Sequence, residues 1–212
     1  METKEKSKVT LIALGGGSGS GKTTIVKRLL KEWPTSSFFS YDSYYKSYPE
    51  KSFEERCALN FDDPAILDEE LFVKHLLDIK EGKDIDVPVY DFAAHLRDTQ
   101  KVTHIKATPI VFVDGILIYT IPHPKEIFDY CIYVEADSDL RLARRILRDS
   151  EERERTPRSV IEQYLATVRP MHKKYVEKGK KYADYIYKNE SSDGLKEEDL
   201  LNLISSIKGA IK

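Results

Sequence analysis

The sequence predicts an α/β fold: a three-layer sandwich with helices over both faces of a parallel five-stranded sheet, an inserted β-hairpin flap and a helical lid. Three observations carry this expectation. Short apolar runs without clean alternation recur along the chain, as suits parallel strands covered on both faces. Helical patterns with start signals stand between them. A single glycine-rich segment joins the first run to the first helical pattern.

In chain order, residues 9–14 read as the first strand and Gly15 to Gly21 as a tight loop. Residues 22–33 then carry helical periodicity, and 37–40 form a second apolar run. Asp63-Pro64 marks a turn before a helical pattern over 68–80. Residues 85–92 and 101–105 break the rhythm, because they alternate with period two as half-exposed antiparallel strands do. Joined through the polar stretch 93–100, they predict a hairpin flap over about 84–106. It would overhang the strand ends where open α/β sheets bind ligands. Runs at 110–113, 130–134 and 185–187 supply the remaining strands. Helical patterns over 138–149, 159–178 and 197–208 cover them, with a charged lid over about 148–160. The whole of 1–212 is expected to form one domain, which leaves no length for a second catalytic one.

Bulk composition narrows the function classes. The 212 residues carry 34 Lys plus Arg and 36 Asp plus Glu, a formal net charge of −2. A general nucleic-acid binder would show a basic excess. No apolar run approaches the roughly 18 residues of a membrane span, and the six residues from Val9 to Leu14 that follow the charged start are too short for a signal-peptide core. Cys57 and Cys131 are too few for a disulfide framework and read as buried small hydrophobes. Together these predict a cytoplasmic protein with no membrane or nucleic-acid partner.

Gly16-x-x-x-x-Gly21-Lys22-Thr23 matches the phosphate-binding loop in full, following an expected strand and opening an expected helix. Glycines let backbone N–H groups turn inward onto phosphate oxygens, and the helix N-terminus adds its dipole. Lys22 would bridge the terminal phosphates and the Thr23 hydroxyl would ligate Mg²⁺. Gly16, Gly17, Ser18, Gly19, Ser20, Gly21, Lys22, Thr23 and Thr24 are thus the expected ATP site. Asp114 ends the apolar run 109–113, where a metal-associated carboxylate belongs. Asp42 follows the 37–40 run onto the same sheet edge, where it suits a base for an attacking hydroxyl. Seven arginines between 141 and 158 offer planar cations for a transferring phosphoryl group.

Beyond that loop, Tyr41-Asp-Ser-Tyr-Tyr45, Asn60-Phe-Asp-Asp-Pro64, Val87-Pro-Val-Tyr-Asp-Phe92 with His95, Asp114-Gly-Ile-Leu117 and Arg144-Arg-Ile-Leu-Arg-Asp149 stand in order. With Glu81-Gly-Lys83, Ala136-Asp-Ser-Asp139 and Lys181-Tyr-Ala-Asp184, they make the chain resemble the uridine kinase (uridine–cytidine kinase) family over about residues 8–190. The resemblance implies ATP-dependent, or GTP-dependent, phosphorylation of uridine or cytidine at the 5′-hydroxyl for pyrimidine salvage. By position it makes Asp42 the base, with Lys22, Arg148 and Arg153 on the phosphates. Thr23, Asp42 and Asp114 would surround Mg²⁺. Asp62 and Arg145 would hold the ribose hydroxyls, and Tyr90, His95, Arg155 and Gln163 the pyrimidine. It further implies a homo-oligomer, commonly a tetramer.

Three positions depart from the family pattern: Asp114 for Glu, Leu96 for Ser beside His95, and Glu154 for Gly between Arg153 and Arg155. Two other readings compete. One is a phosphate-loop kinase for another small alcohol, such as phosphoribulose or pantothenate. The other is a nucleotide-dependent regulatory protein, which would need γ-phosphate-sensing switch loops.

Overall fold

A computed structural model describes residues 9–153, 155–191 and 194–211. Its main sheet has the order β2-β5-β1-β6-β7 and every pairing in it is parallel. The strands are β1 (Thr10–Gly16), β2 (Ser37–Ser40), β5 (Ile110–Asp114), β6 (Tyr130–Glu135) and β7 (Tyr185–Lys188). A separate antiparallel hairpin pairs β3 (Ile85–Asp91) with β4 (Leu96–Ile105).

Side-chain alternation along β1 explains the layers. Leu11 and Ala13 point into one apolar cluster, with Phe72, Leu76 and Ile79 of a covering helix, Glu69–Lys80. Ile12 and Leu14 point into the other, with Ile25 and Leu29 of the helix Lys22–Glu32 and Leu203 and Ile207 of the helix Glu197–Ala210. A strand flanked on both faces has to be apolar at every position, which is why the runs are continuous. Because β1 lies between β5 and β6, the chain reverses its winding there and leaves a crevice at the carboxyl ends. The loop after β1 and the residues ending β2 and β5 all open onto it.

Three local readings change. β4 begins at Leu96 rather than at 101, so the hairpin turn is much shorter than 93–100. Asp91 Oδ1 closes it by accepting from the Ala93 and Ala94 N–H groups, and His95 takes a left-handed φ of 53°. The register then shifts at Pro88/Val89, and this absorbs polar residues that the alternation pattern assigned to a loop. The helix expected from 159 begins earlier, at Pro157, with the Thr156 hydroxyl accepting from Ser159 N–H. It continues through π-helical turns at Tyr164–Val168 and His172–Val176, which no periodicity signalled. Cys131 is buried as expected, but Cys57 is exposed, because the short helix Phe53–Cys57 that carries it buries none of its residues.

Among the described residues, no helix is long and apolar enough to cross a membrane. Glu154 lies outside the described residues.

Candidate active site

At the carboxyl edge of β1, the backbone turns through Gly19 (φ 77°) and Gly21 (φ 97°), conformations an L side chain rarely adopts. A Cβ on Gly19 would also meet the Arg141 carbonyl, and one on Gly21 the Asn189 amide. These two glycines let the loop lie against its neighbours, with the Ser20 N–H closing a turn onto the Gly17 carbonyl at 3.1 Å at the N-terminus of the first helix, where an anion is favoured. Lys22 opens the first helix and is buried, its Nζ donating to the Gly16 and Gly17 carbonyls at 2.8 and 3.0 Å. Burial holds its pKa below the ordinary lysine value, opposed by Asp114 and Asp42.

The loop forms one wall of a cleft of about 630 Å³. Ser18, Gly19, Gly21, Lys22, Thr23 and Thr24 line it from the loop; Gly16, Gly17 and Ser20 do not, and Gly17 lines a neighbouring cavity with Arg141 and His172. Asp42 and Asp114 both face the cleft from the ends of β2 and β5, as do Asp62, Arg145, Arg148, Arg153, Arg155 and Gln163. The structure therefore gathers most of the sequence-predicted site residues, drawn from six separate stretches, into one cavity.

Its electrostatics set the two carboxylates apart from surface acids. Burial pushes Asp42 up, against Lys22, a hydrogen bond from the Ile116 backbone, Arg153 and Arg148. Its Oδ1 is buried and has no partner. Asp114 is 6% exposed, and burial followed by repulsion from Asp42 raises its pKa to about 6. Lys22 and the Ser40 hydroxyl pull the other way. Asp62 is likewise raised to about 6 by burial, against the attraction of Arg145.

Opposite the loop, the wall is aromatic. Tyr45, Phe61 and Phe92 line the cleft. Tyr90 and His95 do not; they stand behind these rings. Tyr90 packs on Phe92 with centroids 5.2 Å apart, and His95 stacks on Phe61 at 4.7 Å. Tyr90 is buried, and burial pushes its pKa to about 12. Burial lowers the pKa of His95, with Arg56, Arg153 and Arg155 adding to the effect. Phe61 sits inside the Asn60-Phe-Asp-Asp-Pro64 stretch and Phe92 ends the Val87-Pro-Val-Tyr-Asp-Phe92 stretch, so both lie in segments that carry the resemblance without being singled out by it.

Arg97 was also missed in the sequence. Its Nε donates to the Tyr45 carbonyl at 2.7 Å and its Nη2 to the Tyr44 carbonyl at 2.8 Å. Its Nη1 pairs with Asp68 at 3.0 Å. It stitches the hairpin to the 3₁₀ turn Tyr41–Tyr44, which carries Asp42. On the lid side, Arg145 donates to Ser18 Oγ at 3.1 Å and to Gln163 Oε1 at 2.8 Å. Gln163 thus ties the helix Pro157–Gln163 to the phosphate loop's neighbour.

The donors that face the Lys22 end of the cleft are all hard oxygens: the Thr23 hydroxyl and the carboxylates of Asp42 and Asp114. Among the described residues, no group of three or more His, Cys, Asp or Glu forms a metal cage of its own. Two carboxylates completed by phosphate oxygens and water suit Mg²⁺, which binds in that manner. The unpartnered Asp42 Oδ1 fits such an ion.

The chain is similar to known proteins in sequence and in fold. A Macrococcus caseolyticus protein named uridine kinase is 40% identical over 203 residues, covering 95% of this chain and 98% of its own. A uridine kinase from Clostridium botulinum is 43% identical over 178 residues, covering 83% and 86%. In fold, the chain is similar to phosphoribulokinase from Rhodobacter sphaeroides, with a TM-score of 0.66 at 13% identity, covering 86% of this chain and 71% of that one. The family model described as phosphoribulokinase / uridine kinase matches residues 11–194, a span that holds every residue facing the cleft, and the chain belongs to that family.

Proposed function

We propose that the chain phosphorylates uridine and cytidine at the 5′-hydroxyl with ATP, yielding the nucleoside monophosphate. The observation that carries this reading is the placing of Asp42 in a single cleft, between a phosphate-binding wall and an aromatic wall backed by Asp62. A flat, neutral base fits between Tyr45, Phe61 and Phe92, whose faces and edges favour stacking. The ribose hydroxyls would donate to Asp62 and accept from Arg145. The relatives named uridine kinase favour a nucleoside acceptor over the phosphoribulose alternative.

In the proposed reaction, Asp42 accepts the proton of the 5′-hydroxyl as that oxygen attacks the γ-phosphorus. The bond to the β-phosphate oxygen breaks, and its electron pair leaves with ADP. Burial raises the proton affinity of Asp42 above that of a surface aspartate, the direction a general base needs. Lys22 and the loop N–H groups would hold the phosphate chain. Arg148 and Arg153 would meet charge on the transferring phosphoryl group from the opposite side, where oriented cations act most strongly. Mg²⁺, held by Thr23, Asp42 and Asp114 together with phosphate oxygens, would neutralise charge on the β- and γ-phosphates. Asp114 has one methylene fewer than glutamate, so its reach to such an ion would run through water.

The test is a nucleoside panel assayed with ATP and Mg²⁺. Turnover of uridine and cytidine, with ribulose 5-phosphate and pantothenate inert, is the expected result. Phosphorylation of either of those two, or nucleotide hydrolysis indifferent to nucleoside, would remove this reading. GTP in place of ATP belongs in the same panel. Pyrimidine salvage in the cytoplasm, by a homo-oligomer, completes the proposal.

A further inference from the structure

Within the helix Ser138–Glu152, Asp149 is fully buried, yet it is the centre of the most cationic part of the molecule. Its Oδ1 accepts from Arg148 Nε at 2.9 Å and Nη2 at 2.7 Å, and lies 3.7 Å from Arg153 Nη1. Its Oδ2 lies 3.5 Å from Arg145 Nε and 3.8 Å from Arg155 Nη1, and has no hydrogen-bond partner of its own. The Asp149 carbonyl accepts from Arg155 N–H at 3.1 Å, which pins the chain beyond the helix end back onto the same residue. All four arginines face the cleft, but Asp149 does not.

Four guanidinium groups this close repel one another; Asp149 is the carboxylate they share, while Asp62 also attracts Arg145, and positive charge is left over. We propose that Asp149 is a positioning residue for phosphoryl transfer. As the internal counter-ion, it keeps Arg145, Arg148, Arg153 and Arg155 convergent on the cleft while leaving a net positive charge to meet the phosphates. The uneven contacts support this division. Arg148 is held by two short hydrogen bonds and defines the cluster. Arg153 touches the carboxylate only at 3.7 Å and so can shift toward a ligand, whereas Arg155, 3.8 Å from it, is also held by hydrogen bonds to Gln163 Oε1 and the Ser159 carbonyl. Arg153 also lies over the Phe92 ring, 5.6 Å from its centroid, so the cluster reaches the hairpin wall as well. An acidic residue in a lid helix would otherwise be wasted against an anionic substrate, since it opposes the charge the site must bind.

This inference deepens the kinase reading and rests on it for the catalytic part. Its test uses Asp149→Asn, which keeps shape and removes charge, and Asp149→Glu, which keeps charge and moves it by one methylene. The readout is the melting temperature of the full chain without nucleotide, with a non-hydrolysable ATP analogue plus Mg²⁺, and with uridine alone. If Asp149 is the counter-ion, the triphosphate takes over that role in D149N. The analogue then raises the melting temperature of D149N by more than it raises that of the parent, while the uridine shift shrinks because Arg145 and Arg155 lose their shared anchor. In the same variant kcat falls at least 10-fold, KM for the nucleoside rises, and D149E recovers most of kcat. Equal analogue-induced shifts in parent and D149N, or a kcat within 3-fold of the parent, overturn the proposal. Should D149N fail to fold, D149E decides. An intact fold with kcat within 5-fold of the parent and a parental analogue shift supports a charge requirement, and kcat below one hundredth with the fold intact refutes it. If the parent phosphorylates no nucleoside, the functional reading fails by itself, and the triphosphate-linked melting shift still tests Asp149.

Discussion

Replacing Asp114 with Asn should stabilise the nucleotide-free protein while ending phosphoryl transfer, and the size of the gain follows from the site. The Asp114 carboxyl is raised from 3.8 to about 6 by burial and by Asp42 beside it, a figure that already includes the opposing attraction of Lys22. Each unit corresponds to about 1.36 kcal/mol, so the ionised group costs the folded state about 3 kcal/mol relative to the unfolded chain. A raised folded pKa means that the native state binds the extra proton. The group's favourable contribution is therefore complete below the unfolded value and is lost as pH rises to about 6. Asn mimics the protonated form and escapes that loss. Above pH 7 the variant should melt roughly 6–12 °C higher than the parent, at about 2–4 °C per kcal/mol for a chain of this size. The gap should narrow steadily between pH 6 and pH 4. Thermal melts at pH 4.5 and 7.5 without nucleotide or Mg²⁺ measure both ends. Adding Mg²⁺ and ADP should close the gap at pH 7.5, because only the parent gains the metal-linked stabilisation. A variant that melts at or below the parent at pH 7.5, or a gap that ignores pH, would refute the idea that this carboxylate is held charged against its surroundings.

Three further changes test the cleft. Asp42→Asn should cut kcat by about 10²–10⁴, the span of a lost general base, while analogue binding by calorimetry stays within a few-fold; near-normal turnover would remove Asp42 from that role. Phe92→Ala removes an aromatic wall and one side of the Arg153 contact, and should raise KM for uridine roughly 10-fold in steady-state assays with KM for ATP little changed. Arg97→Ala breaks the half-buried pair with Asp68 and two bonds to backbone carbonyls, at a cost of about 2 kcal/mol in urea unfolding. Because the Asp42 turn loses its tie to the hairpin, kcat should fall with it, and a stability loss without any kinetic effect would show that the stitch does not serve the site.

Much of this protein was legible in its sequence because the signals are local. The Gly16–Thr23 spacing specifies a loop whose glycines need particular backbone angles, and those angles depend on few neighbours. Continuous apolar runs announce strands buried on both faces, and Asp42 and Asp114 inherit their positions from the strands they end. The hairpin itself was visible in its period-two alternation, but its turn was misjudged by several residues. Asp91 side-chain caps and a left-handed His95 close it early, and the register shift at Pro88/Val89 uses up the difference.

What only the tertiary structure decided depends on groups distant in the chain. Tyr90 and His95 have the chemistry of base-reading residues, and tertiary packing sets their rings against Phe92 and Phe61, which line the cleft. Arg97 looks like a surface charge until its guanidinium is found on the carbonyls of Tyr44 and Tyr45. Asp149 reads as one acid in a charged helix, and becomes a hub only when the helix end and the following turn bring four arginines around it. Residue type and spacing set the backbone's path and the list of reactive groups. Which of those groups reach the cleft, and which hold the others in place, was set by long-range packing, because burial and charge act through space and not along the chain.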